Sequence, residues 1–245
     1  MPPEDQYLQA TINRHRPITN VHPTHLRRVT QLLKTWPLHD HIESLTLSGS
    51  HPKHTALRDS DTDILVSLSP ETPATLPAIH DSLQDHLRDY LPTPRNVSLR
   101  IHLDQAAIDL VPARRRANST HHTLWRRREN TWLQTDTTQQ IQYVRASGLT
   151  NEIRALKLWR RRHALRFPSF LLELSVIKAI QPGDPISISF LKLLNYLVTT
   201  FPTTTLKDPA NSNNKVSDLL SREEKHQIAT KAALTLTRNS WPEIL

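Results

Sequence analysis

Leu47-Ser-Gly-Ser-His-Pro-Lys-His-Thr-Ala-Leu-Arg-Asp-Ser-Asp-Thr-Asp-Ile-Leu-Val66 is the stretch from which the rest of the chain is read. The chain has three glycines, at positions 49, 148 and 183, and the first lies just past an apolar strand, between Ser48 and Ser50. A glycine there lets backbone approach a phosphate with no side chain in the way. Adjacent N–H groups and the Ser50 hydroxyl can then bond phosphate oxygens, with help where a helix N-terminus follows. After ten intervening residues beyond Ser50, Asp61 and Asp63 open a run of β-branched and apolar residues, Thr62 to Leu68. Alternation along a strand puts both carboxylates on one face. Two unpaired carboxylates that close repel each other and call for a cation. Mg²⁺, which prefers oxygen ligands and shares them with substrate phosphates, suits the pair, as does Mn²⁺. An Asp-x-Asp beside Asp59 and Ser60 also fits an acidic turn; the glycine–serine turn before it and the strand after it set this one apart.

A third acid, Asp109, sits in Ala107-Ile108-Asp109-Leu110-Val111-Pro112, where an unpaired charge is costly. One reading is a structural acid paired with a nearby arginine. The other places its strand beside that of Asp61 and Asp63, so that three acids converge. Such a triad holds two metal ions about 4 Å apart and stabilises an in-line phosphoryl displacement. Asp61 and Asp63 would then bind both ions. Asp109 would bind the ion at the acceptor hydroxyl and help deprotonate it.

Working outward, Thr24 to Leu33 has helical spacing, with Leu26, Val29 and Leu33 on one face, and Pro37 closes it. Ile42 to Leu47 reads as a strand entering the Ser-Gly-Ser turn, and Thr62 to Leu68 as a second. A helix is expected from about Thr75 to Tyr90, ended by Pro92 and Pro94, then strands Val97–His102 and Ala107–Pro112 joined tightly around Asp104-Gln105. After about residue 135 the pattern turns helical, with helices near 150–164, 168–180, 187–200 and 221–237, the last opened by the capping-box spacing of Ser221 and Glu224. The expected class is α+β: a lobe with a small mixed sheet and an N-terminal helix over residues 1–140, then a helical lobe over 141–245 closing the nucleotide cleft.

The 245 residues suffice for a sizeable core. There is no cysteine, which removes disulfides, thiolate metal sites and cysteine nucleophiles. His39, His41, His51 and His54 match no recognised zinc spacing. The formal charge of +8 favours polyanionic partners, namely nucleotides, RNA, DNA or an anionic surface. Much of it lies in Arg114-Arg115-Arg116, Arg126-Arg127-Arg128 and Arg160-Arg161-Arg162. Each block suits a solvated face, or the lining of a triphosphate or polynucleotide path. No apolar run approaches the roughly 18 residues of a membrane span, and the N-terminus has no basic segment followed by an apolar one. A cytoplasmic protein without membrane contact is expected.

Gly49-Ser50, Asp61-x-Asp63 and Asp109 in an apolar strand together resemble the signature of the nucleotidyltransferase superfamily related to DNA polymerase β. Further on, Ile153-Arg-Ala-Leu-Lys157-Leu-Trp159 and Pro168-Ser169-Phe170-Leu-Leu-Glu173-Leu resemble the helical lobe of the oligoadenylate-synthase and cyclic-GMP-AMP-synthase branch. Leu206-Lys-Asp208-Pro209-Ala-Asn211-Ser-Asn213-Asn214-Lys-Val216 is similar to a segment of bacterial CD-NTases. The resemblance covers about residues 40 to 240 and implies an enzyme with a polymerase-β-like lobe followed by a helical lobe.

By that resemblance Lys157 and Ser169 contact the donor triphosphate and Phe170 stacks on a base. The residues alone also allow a helix-surface lysine, a helix N-cap and a core aromatic. The resemblance further implies ATP or GTP as substrates, a cyclic di- or oligonucleotide second messenger as product, and a separate effector protein in an anti-phage (CBASS) system. A template-independent RNA nucleotidyltransferase of the CCA-adding or poly(A) type keeps the same chemistry with another acceptor. Where relatives often have a glycine after the lysine-like position, this chain has His54 after Lys53.

Overall fold

The computed structural model describes residues 1–17 and 22–245. In chain order they form α1 (Pro3–Arg14), α2 (His22–Leu33), β1 (Ile42–Ser48), β2 (Thr62–Leu68), α3 (Leu76–His86), β3 (Thr93–Pro94), β4 (Leu99–Leu103), β5 (Ala106–Arg115), β6 (His122–Arg126) and β7 (Thr131–Thr135). There follow α4 (Thr137–Ala146), α5 (Thr150–Arg162), α6 (Ser169–Ala179), α7 (Ile186–Thr199), β8 (Lys207–Asp208), β9 (Asn211–Lys215), α8 (Arg222–Leu236) and α9 (Trp241–Ile244). The class is α+β, with the sheet first and most of the helices after it.

Two compact units emerge. One comprises Ile18–Lys53 and Asp59–Ile141; the other comprises Met1–Pro17, His54–Arg58 and Gln142–Leu245. The later boundary falls within α4. The first helix and the short segment after Lys53 group with the later residues rather than with the sheet. Their packing explains it: Leu8 and Ile12 of α1 and Leu57 are buried in the same apolar cluster as Leu156, Trp159 and Leu193.

In the sheet unit the strand order is β1-β2-β5-β4-β3, and β6 and β7 extend the sheet from β5. β2 and β5 are parallel, the neighbours β1, β4 and β6 antiparallel. A parallel pair needs a crossover, and α3 lies on that connection, capped by the Thr75 hydroxyl, which accepts from the Ala78 N–H. Ile64 and Val66 of β2 and Ile108 and Leu110 of β5 are buried with Val29 and Leu33 of α2 and Ile79 and Leu83 of α3. The two helices therefore cover one face. The alternate residues Leu65, Val111 and Ala113 belong to a separate small cluster with Leu124. β4 and β5 are joined at Asp104 and Gln105, both at positive φ (49° and 67°), a tight hairpin turn.

The helical unit is built on Trp159, Phe167, Phe190 and Phe201, all fully buried. α1 starts with proline in its first turn and with Glu4 and Asp5 near its positive end. The buried Asp5 carboxylate accepts from the Ser187 N–H at 2.8 Å, which satisfies one orphan donor in the first turn of α7. The capping box forms as expected: Ser221 accepts from the Glu224 N–H, and Glu224 accepts from the Ser221 N–H. No described helix is long and apolar enough to cross a membrane.

Candidate active site

Ser48, the last residue of β1, pairs with Asp63 on β2. Gly49 then turns the chain at φ +67°, and a Cβ at that position would overlap the Asp63 carboxylate. Glycine is thus required twice, for the left-handed backbone and for the room beside the acid. Ser50 follows it, half-buried.

Asp63 on β2 stands beside Asp109 on β5 in register. Since Ile64, Ile108 and Leu110 face the covering helices, alternation turns Asp63 and Asp109 to the opposite face, with Asp61 two residues earlier on the same side. The sheet therefore brings Gly49, Ser50, Asp61, Asp63 and Asp109 to one place within one unit.

The hairpin adds a cation that the sequence reading did not single out. Arg100 on β4 pairs across the ladder with Asp109. Its guanidinium forks onto that carboxylate, Nε to Oδ1 at 2.7 Å and Nη2 to Oδ2 at 2.8 Å. Nη2 also donates to Asp61. The hydrogen bond to Asp109 holds the Arg100 proton more tightly than usual. Both readings of Asp109 thus meet at one residue: it pairs with an arginine, and it lies beside the other two acids.

Burial raises the Asp63 carboxyl, and the charges of Asp61 and Asp109 carry it further, to about 7, against the pull of Lys53 and Arg100. Lys53 is itself buried. Negative charge on oxygen donors alone, in excess of the local cations, is donor chemistry that fits a hard divalent ion. Among the described residues, no group of three or more histidine or acidic side chains is drawn in as a cation cage; Arg100 ties two of the three acids instead.

The remaining sequence candidates belong to the helical unit. Lys157 is 3% exposed; its Nζ donates to Glu173 Oε1 at 2.8 Å, to Thr55 Oγ1 at 2.9 Å and to the Thr55 carbonyl at 3.1 Å. Glu173, 1% exposed, also accepts from the Thr55 hydroxyl at 2.6 Å. Lys157 is therefore no helix-surface lysine: it secures the segment that links the glycine turn to Asp61. His54 begins that segment at φ +61°, a left-handed conformation that favours glycine, and its Nε2 lies 2.7 Å from Arg145 Nη2. Burial, then the charges of Arg145 and Arg154, lower its pKa, so a neutral ring accepts from Arg145. Ser169 is the first helical residue of α6, and Pro168 holds the cap position. The Ser169 hydroxyl lies within hydrogen-bond reach of Arg160 Nη1, at 3.0 Å. Phe170 is half-buried against the helical core.

The arginine blocks are substantially engaged locally. Arg115 pairs with Glu43 at 2.5 Å, Arg126 with Glu129 at 2.9 Å, and Arg162 donates to the Pro242 carbonyl at 2.7 Å.

No family model matches the chain, and no curated protein matches it in sequence. Solved structures do match in fold. The CD-NTase CdnG of Bradyrhizobium diazoefficiens, in complex with GTP, superposes with a TM-score of 0.84 at 13% identity, over 96% of this chain and 90% of that one. CdnC of E. coli MS115-1 with ATP gives 0.74 at 20% identity, over 98% and 94%. The Cid1 poly(U) polymerase gives 0.64 at 11% identity, over 98% and 95%. The chain has the fold of the CD-NTases, one shared with a poly(U) polymerase.

Proposed function

We propose that the protein is a metal-dependent nucleotidyltransferase that joins nucleoside triphosphates into cyclic di- or oligonucleotides. The observation that carries this reading is the convergence of Asp61, Asp63 and Asp109 beside the Gly49-Ser50 turn, where only glycine leaves room for the Asp63 carboxylate. Asp61, Asp63 and Asp109 would hold two Mg²⁺ or Mn²⁺ ions, which when bound neutralise charge at the transferring phosphate. Gly49 gives the turn its left-handed backbone and makes room for the Asp63 carboxylate, and Ser50 offers its hydroxyl and N–H to phosphate oxygens. Asp109 takes the proton of the attacking ribose hydroxyl; the new O–P bond forms at the α-phosphate as the bond to pyrophosphate breaks.

ATP and GTP as substrates are supported by the CdnC and CdnG structures with those nucleotides. Ser169 and Phe170 are proposed to meet the donor nucleotide. Lys157 is proposed to act beside them on the triphosphate, which would require it to exchange part of its present bonding to Glu173 and Thr55. A second messenger read by a separate effector protein, in anti-phage defence, is the proposed role.

The second reading, RNA tailing, is favoured by the fold match to the Cid1 poly(U) polymerase and by the +8 charge. Incubation with α-labelled nucleoside triphosphates and Mg²⁺, followed by phosphatase, separates the two. A small phosphatase-resistant product supports cyclisation. Label that appears only when RNA is added, with steep salt dependence, supports tailing instead.

A further inference from the structure

Arg100 is held where a metal ligand set is expected to be free. The β4–β5 hairpin fixes its position: with the turn at Asp104 and Gln105, the ladder sets Leu103 opposite Ala106, Ile101 opposite Ile108 and Arg100 opposite Asp109. The side chain is only partly exposed and engages Asp109 through both forks of the guanidinium. The same Nη2 reaches Asp61, so one monocation bridges carboxylates from two strands. A bidentate guanidinium uses the lone pairs of both Asp109 oxygens that point outward in the carboxylate plane. A divalent ion held by Asp61 and Asp109 would meet that positive charge at the same oxygens, each of which has only one further lone pair to offer.

We infer that Arg100 is the resident counter-ion of the acid cluster, and that divalent metal binds by displacing it from at least one of its two carboxylates. This rests on the two-metal reading above. Metal affinity is then set by a competition, because the state with Asp61 and Asp109 open is only a fraction of the metal-free population. In the metal-free protein Arg100 keeps three neighbouring carboxylates from standing with too little positive charge. Arg100 is a positioning residue in this scheme, acting on the ligands rather than on the nucleotide.

The test is a titration of the full chain with Mn²⁺ alone, followed by electron paramagnetic resonance, for the wild type, R100Q and R100K, with melting temperatures in EDTA and in saturating Mn²⁺. R100Q should bind Mn²⁺ about tenfold more tightly once the competing state is removed. Its melting temperature should fall in EDTA and recover with Mn²⁺. R100K keeps the charge but loses the fork, so it should lie between the two in affinity and remain folded for measurement if R100Q does not. Unchanged or weaker Mn²⁺ binding in both variants would overturn the inference, since a merely structural arginine or one that aligns the ligands gives that result. If the wild type and both variants bind no Mn²⁺, the two-metal reading fails, and the inference with it.

Discussion

Gly49 and Asp63 share one small volume: the carboxylate occupies the space that any side chain at 49 would need, and the backbone there is left-handed. Gly49→Ala should therefore destabilise the protein by at least about 1–2 kcal/mol from backbone conformation alone, with nucleotidyl transfer lost as Asp63 is pushed aside. Urea denaturation read beside activity checks it, and a stable, active alanine variant would contradict the placement. Asp63 makes a second prediction. Its carboxyl is raised from 3.8 to about 7 by burial and by Asp61 and Asp109. The folded state therefore holds the proton better than the unfolded chain. This stabilisation is complete below pH 3.8 and is lost as pH rises through 7. In EDTA the wild type should lose more stability from pH 5 to 8 than Asp63→Asn, which cannot ionise. Parallel melting curves for the two would refute the raised value. The three acids and the glycine were legible in the sequence because they interrupt or directly border apolar strands. Arg100 was legible in principle too: counting back equally from the Asp104-Gln105 turn sets 100 against 109. An arginine among many, in a chain of +8, carries no such mark of its own.

At the scale of elements, β2 coincides with the expected strand from Thr62 to Leu68 because Thr62, Ile64, Leu65, Val66 and Leu68 are β-branched or apolar, broken only by Asp63 and Ser67. The α5 to α8 helices lie within a few residues of their expected ranges, since each carries a buried apolar stripe. The β6–β7 hairpin went unread. His122-Thr-Leu-Trp-Arg126 and Thr131-Trp-Leu-Gln-Thr135 bury only one side, and their turn uses Asn130 at φ +49° amid arginines instead of glycine. α1 went unread: Pro3, Glu4 and Asp5 mark its start, but its buried face has only Leu8 and Ile12 as apolar residues beside Asp5. Between α5 and α6, Lys157 and Glu173 form a fully buried pair that also grips Thr55. Leaving either charge without the other costs about 3–5 kcal/mol. Glu173→Leu alone should destabilise the protein by that order, and Lys157→Met added to it should restore much of the loss. If thermal melts show the double variant no better than the single, the pair is not the anchor of the 54–58 segment.

The whole molecule is two compact units woven from separate stretches of one chain, and this was the least legible level. A boundary near residue 140 follows from the change of pattern there. The assignment of residues 1–17 and 54–58 to the later unit depends on contacts such as Leu8, Ile12 and Leu57 with the α5 core, which no local spacing announces. Asp61, Asp63 and Asp109 lie wholly in the sheet unit, and Lys157, Ser169 and Phe170 wholly in the other. The measurement that bears most directly on the proposed chemistry is pyrophosphate release from mixed nucleoside triphosphates and Mg²⁺, for the wild type and for Asp61→Ala with Asp63→Ala. The account predicts release by the wild type, and none above background from a double variant whose circular dichroism shows it folded. Equal release from both, or transfer by the double variant at the wild-type rate, would contradict it.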